Sequence, residues 1–130
     1  MSYVLAAGAS GGHIIPAVAV ADALLRAGVS EQEIALVGVG AHLEEKLIPK
    51  KYEHIIIPFV PILGKGILGL IKASVCFPFS LFKAVRLYRR KKVKAVLGFG
   101  GYPSAVPVFA AFLLRIPCYL FEQNLSLIHI

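Results

Sequence analysis

Tyr3-Val4-Leu5-Ala6-Ala7-Gly8-Ala9-Ser10-Gly11-Gly12-His13-Ile14-Ile15-Pro16 stands near the start of the chain. An apolar run enters a glycine cluster and passes straight into helix-forming sequence. That order of strand, tight turn and helix is the opening unit of an open α/β sheet. The helical stretch, residues 14–25, is apolar around nearly its whole circumference, with Asp22 its one charged residue. Pro16 suits a first helical turn, and Gly28 suits a stop.

The alternation continues to the end. Residues 34–37 read as a strand, and 42–50 as a short helix with Glu44, Glu45 and Lys46 exposed. Residues 55–57 form a β-branched run closed by Pro58 and Pro61. After a turn at Gly64-Lys65-Gly66 come two helical pieces, 67–77 and 79–92, separated by Pro78. Residues 95–97 are a strand, 104–114 a helix and 118–121 a strand. The fold class is therefore α/β, a doubly wound parallel sheet.

Composition agrees. Of 130 residues, 58% are hydrophobic and only 16% charged, which excludes a disordered tail protein. A mean hydropathy of +0.77 raises the question of a membrane span. Residues 1–25 are apolar, but the first basic residue is Arg26, so a signal peptide's charged start is missing. Residues 95–114 meet the length of a span. Their interior, Gly98-Phe99-Gly100-Gly101-Tyr102-Pro103-Ser104 with Pro107 beyond, reads instead as strand, loop and helix. A parallel sheet covered on both faces accounts for the apolarity. Two cysteines give no disulfide framework and suit a reducing cytosol.

Ligands of such sheets sit at the carboxyl ends of the strands. Two strands end there in glycine loops, at 8–13 and 98–104. Glycines admit a ligand to the backbone, and the free amides of a first helical turn attract phosphate. The first loop is not a P-loop, because the Lys-Ser/Thr ending is absent, and it fails the Rossmann spacing. A tight structural turn explains each loop taken singly, whereas two on one sheet edge suit a diphosphate. His13, opening a helix beside that cleft, has the chemistry of a general base, although a structural role fits its spacing equally. His42, His54 and His129 share no ligand spacing with it, and no metal or cofactor is expected.

Nine of the fourteen basic residues lie between Lys65 and Lys94, and no acid occurs from His54 to Phe121. The formal charge is +7. Ile67, Leu68, Ile71, Val75, Phe79 and Phe82 accompany Lys72, Lys83, Arg86, Arg89 and Arg90 there. This pairing suits an anionic membrane surface. The plainer alternative buries the apolar residues, Leu70, Phe77 and Leu81 among them, in the core. Nucleic acid is disfavoured, because Tyr88 is the only aromatic residue among the cations of 83–94.

Residues 8–16, the Gly98–Ser104 loop and Glu122-Gln123-Asn124 together resemble the N-terminal domain of the MurG family. Leu43-Glu44, Pro49 and the Gly64–Gly66 turn support the likeness, which covers residues 1–124. The resemblance implies a Rossmann-like N-terminal, acceptor-binding domain of a GT-B glycosyltransferase, truncated, with the C-terminal donor domain absent. It implies transfer of GlcNAc from UDP-GlcNAc to undecaprenyl-diphosphate-linked MurNAc-pentapeptide (lipid I), giving lipid II for peptidoglycan. The enzyme would be peripheral on the cytoplasmic face of the bacterial plasma membrane.

By the same resemblance Ser10, Gly11, Gly12 and Asn124 would contact the donor. Gly8, Gly100, Gly101 and Tyr102 would lie at the acceptor diphosphate. His13 and Glu122 are the candidates for acid–base catalysis. The family's first loop has Gly and Thr where Ala9 and Ser10 stand, and its His before Glu-Gln-Asn is Phe121 here. Residues 125–130, Leu-Ser-Leu-Ile-His-Ile, depart from the family and read as a non-native read-through ending. No turnover is expected from the chain alone. Another GT-B transferase with a lipid or glycan acceptor, and a stand-alone membrane-surface binding module, are the alternatives.

Overall fold

Strands with apolar residues at every position, such as Ile34-Ala35-Leu36-Val37, can be satisfied only if both sheet faces are covered. The computed structural model describes residues 2–8, 11–58, 66–100, 104–121 and 128–129. The elements are β1 (Ser2–Ala6), α1 (Gly11–Arg26), β2 (Ile34–Gly38), α2 (His42–Leu47), β3 (Glu53–Ile56) and α3 (Gly66–Lys91). β4 (Val93–Gly98), α4 (Ala105–Leu113), β5 (Cys118–Leu120) and β6 (Ile128–His129) complete them. The sheet order is β3-β2-β1-β4-β5-β6. The first five strands pair in parallel, as expected. β6 pairs antiparallel to β5, Leu120 opposite Ile128, so residues 128–129 add an edge strand that the sequence pattern does not announce.

Alternation along each strand divides the core in two. Val4, Val37 and Val96 face Ala84, Leu87 and Tyr88 of α3 and Val106, Ala110 and Ala111 of α4. Leu5 and Leu36 face Ile14, Ala17 and Ala21 of α1 together with Ile48 and Tyr52. Every residue of β2 is buried. Gly28 (φ 103) takes the left-handed conformation two residues beyond α1, where the sequence placed a helix stop.

Local expectations are corrected in four places. α1 begins at Gly11, three residues earlier than the apolar run suggested, so Pro16 lies inside the helix. α2 ends at Leu47 and β3 spans Glu53–Ile56 rather than 55–57. The two pieces expected either side of Pro78 are one helix of 26 residues. Pro78 lacks the N–H for the Ser74 carbonyl, yet helix packing on the sheet continues through it. Just beyond, the buried Ser80 hydroxyl donates to the Pro58 carbonyl and ties the end of the β3 segment to the helix.

Glu44 is the fourth. Expected on the surface, it is fully buried beneath the carboxyl ends of β1 and β2. Its Oε2 accepts from Val39 N at 3.1 Å, and its Oε1 from Gly40 N at 3.0 Å. His54 Nε2 lies 2.9 Å from the same Oε1. Burial of a carboxylate is tolerable only with such donors.

Candidate functional site

The order of the strands locates the crevice. The chain runs β1, β2, β3 toward one edge, then returns to place β4 on the other side of β1. β1 and β4 are thus the topological switch point, where open α/β sheets bind ligands beyond the strands' carboxyl ends. Ala6 stands opposite Gly98, and Phe99 N donates to the Ala6 carbonyl at 3.0 Å. The two glycine loops that the sequence singled out therefore leave the sheet side by side.

From β1 the chain passes through the buried Gly8 into α1. A side chain at Gly8 is excluded from below: its Cβ would lie 2.5 Å from Glu44 Oε2 and 3.2 Å from Gly38 Cα. Gly8 therefore has a packing reason to be glycine, whatever it also offers a ligand. Gly11, Gly12 and His13 form the first turn of α1, which carries no acidic residue. Gly12 is exposed and His13 half-buried. They open the helix, and the positive end of a helix dipole attracts phosphate. Ser10 lies outside the described residues.

From β4 the chain continues through the buried Phe99 to Gly100, whose φ of 88° is a conformation that favours glycine. Gly98 is packed close, since a Cβ there would come within 2.9 Å of Val108 Cγ2. Gly101, Tyr102, Glu122 and Asn124 lie outside the described residues. Phe121, where the resembled family has histidine, stacks on Phe99 with ring centroids 4.8 Å apart and planes 6° from parallel. Its backbone N–H donates to the Gly98 carbonyl at 2.8 Å. The position is filled by an apolar stack at the carboxyl edge of β4 and β5, with no polar group to contribute.

Sequence reasoning passed over Glu44 as a site-supporting residue. The available signal was the glycine pair Gly38 and Gly40 ahead of it. A strand end without side chains leaves a notch, and Glu44 fills it. A Cβ on Gly38 would sit inside the Glu44 carboxylate.

The second surface is α3. Ile67, Leu68, Ile71, Val75, Phe79 and Phe82 are all more than half exposed, Leu68 at 81%. Lys72, Lys83, Arg86, Arg89 and Arg90 are exposed with them. Core burial thus fails as an explanation for these six apolar residues, while Phe77 and Leu81 do pack against the core. α4 extends the apolar face. Phe109 meets Phe77 edge-on at 5.7 Å, and Phe112 and Leu113 are exposed beyond it. Residues 95–114, weighed above as a span, include the end of β4 and the whole of α4. Among the described residues, α3 is the helix long and apolar enough, by length and composition only, to cross a membrane. Its Ala84, Leu87 and Tyr88 are built into the sheet's core, so its second half is a domain helix.

The glycosyltransferase family 28 N-terminal domain matches residues 3–130. The chain belongs to this family. A Pasteurella multocida protein named UDP-N-acetylglucosamine–N-acetylmuramyl-(pentapeptide) pyrophosphoryl-undecaprenol N-acetylglucosamine transferase is 44% identical over 126 residues, covering 91% of this chain and 33% of the relative. The Myxococcus xanthus protein of the same name is 34% identical over 125 residues, covering 95% and 32%. The crystal structure of Acinetobacter baumannii MurG superposes with a TM-score of 0.77 at 30% identity, covering 95% of this chain and 36% of that one. The chain spans about a third of the length of the curated relatives it matches.

Proposed function

We propose that this chain is the acceptor-binding part of a family 28 glycosyltransferase that moves GlcNAc from UDP-GlcNAc to lipid I, on the cytoplasmic face of the bacterial plasma membrane. The observation that supports the reading is the pairing of β1 with β4, which puts Ala6 opposite Gly98, where the two glycine-rich stretches begin. In the transfer, the MurNAc 4-hydroxyl oxygen forms a bond to C1 of GlcNAc as the bond from C1 to the UDP oxygen breaks. The configuration at C1 inverts. His13 accepts the hydroxyl proton, with Glu122 the alternative, and the charge on the departing diphosphate faces the amides of Gly11 and Gly12. Ser10 and Asn124 complete the donor contacts, and Gly8, Gly100, Gly101 and Tyr102 those of the acceptor diphosphate. Residues 1–124 form the domain in this reading, and a donor domain supplies the remainder of the nucleotide site.

The exposed face of α3 and α4 supports the membrane half of the proposal, because lipid I presents its sugar at a bilayer surface. Apolar side chains enter the interface while the cations beside them meet anionic headgroups.

The test is a hybrid in which this chain replaces the corresponding N-terminal part of the Acinetobacter baumannii protein. UDP release is followed with a lipid I analogue. We expect turnover, and a fall of about 10²–10⁴-fold in kcat for His13→Ala, the range of a positioned general base. A folded hybrid without transfer refutes the function. Turnover unchanged by His13→Ala refutes the role of His13.

A further inference from the structure

Beside the flat apolar face, the second half of α3 forms a true concavity with the edge strand β3, a notch of about 350 Å³. Ile55 and the buried Leu87 line its inner side, and Phe79 and Phe82 are its apolar lip. Lys83, Arg86 and Arg90 stand around it at helical spacing. Lys83 Nζ donates to the Ile56 carbonyl at 2.7 Å, which holds that ammonium at the strand's end. Arg86 and Arg90 form no ion pair among the described residues. Glu53, the acid at the start of β3, is already paired with Lys91.

Adsorption to a charged bilayer requires no cavity, because dispersed cations and an apolar surface suffice. A notch that joins an apolar lining to two guanidinium groups without an ion pair among the described residues selects an individual amphiphile with an anionic head. Arginine forks match phosphate oxygens in pairs. The position separates this notch from the transfer site. Lys83 meets Ile56 at the carboxyl end of β3, so the separation runs across the sheet and not along the strands. The notch lies at β3, two strands from β1 and its glycine loop. An acceptor diphosphate held at the β1–β4 crevice is therefore not its occupant.

We propose that this notch binds the phosphate headgroup of a single anionic glycerophospholipid, Arg86 and Arg90 clasping the phosphate while the first carbons of the chain lie on Ile55, Leu87, Phe79 and Phe82. The inference rests on the membrane-docking reading and adds a stoichiometric site to it. A lipid held there orients the domain on the bilayer, with the β1–β4 edge at a fixed position relative to the surface.

The experiment titrates the 130-residue chain with dihexanoylphosphatidylglycerol below its micelle concentration, read by calorimetry and amide chemical shifts. Saturation at one lipid per chain is expected, with shifts at Ile55 and Phe82. Inorganic phosphate and dihexanoylphosphatidylcholine should each bind far more weakly, since one lacks the chain and the other the net charge. Arg86→Gln and Arg90→Gln should each weaken binding about tenfold, the scale of one charge-assisted hydrogen bond. Both side chains are exposed, and a circular-dichroism melt checks that the variants fold. The same variants are pelleted with phosphatidylglycerol vesicles, beside Ile67→Ser and Leu68→Ser. The serine variants should weaken pelleting and leave the short-chain titration unchanged. Non-saturating binding, equal affinity for phosphatidylcholine, or indifference to both arginine changes overturns the site. If vesicles still pellet the chain in that case, the membrane reading stands without it; if they do not, both fall.

Discussion

Replacing Gly38 by alanine should unfold more of this protein than so small a change suggests, and the reason is Glu44. The new methyl would occupy the place of the Glu44 carboxylate, which sits fully buried in the notch left by Gly38 and Gly8. Glu44 cannot simply swing aside, because it accepts from Val39 N, Gly40 N and His54 Nε2 at 3.1, 3.0 and 2.9 Å. Evicting it breaks these bonds. Buried hydrogen bonds to a charged group contribute about 1.5–3 kcal/mol each. Val39, Gly40 and His54 keep some access to water, so we take about 1 kcal/mol apiece, or roughly 3 kcal/mol together.

Glu44→Ala removes the same three bonds and should lower stability by a similar amount. The informative variant is the double one. With the carboxylate gone, the methyl introduced by Gly38→Ala enters vacant space, so the pair should together lose about 3–4 kcal/mol rather than the ~6 of independent sites. The assay is urea unfolding of the four proteins followed by far-ultraviolet circular dichroism, at constant m-value. Additive losses, or a loss below about 0.5 kcal/mol for Gly38→Ala, would refute the keystone reading of Glu44.

Two further outcomes follow from the same packing. Burial pushes the Tyr88 hydroxyl well above its ordinary value of 10.0, and that hydroxyl donates to the Pro107 carbonyl at 2.9 Å. Above about pH 10 the unfolded chain releases a proton that the folded chain retains, so this contribution is complete below that pH and declines as pH rises. Tyr88→Phe should lower stability by about 1–2 kcal/mol at neutral pH and make the alkaline decline shallower, measured by urea midpoints from about pH 7 to 11. Lys92, between α3 and β4, holds φ at 52°, so Lys92→Gly should raise stability by roughly 0.5–1 kcal/mol in the same assay; an unchanged or lower midpoint contradicts it.

The alternation of strands and helices was legible because it rests on local chemistry. Short apolar runs bounded by glycine can do little but form buried strands, and Gly28 stops a helix through its own backbone freedom. The apolar side chains of α3 were ambiguous in one dimension. Ile67 and Phe77 read alike in sequence, and only packing decides that the first faces solvent while the second meets Phe109. Pro78 was misread for a related reason. Its local preference breaks a helix, but contacts made by Ser80, Ala84 and Tyr88 carry the helix through it.

The sequence by itself determined the fold class and the concentration of positive charge in one stretch, since each depends on neighbours along the chain. The tertiary structure alone decided the strand order, which depends on how crossovers pack. With β1 beside β4, strand ends some ninety residues apart in sequence, at Ala6 and Gly98, come to stand side by side. It also decided the place of Glu44. A carboxylate that local pattern assigns to solvent is drawn under the sheet, because two strand-end glycines leave room and three donors converge on it.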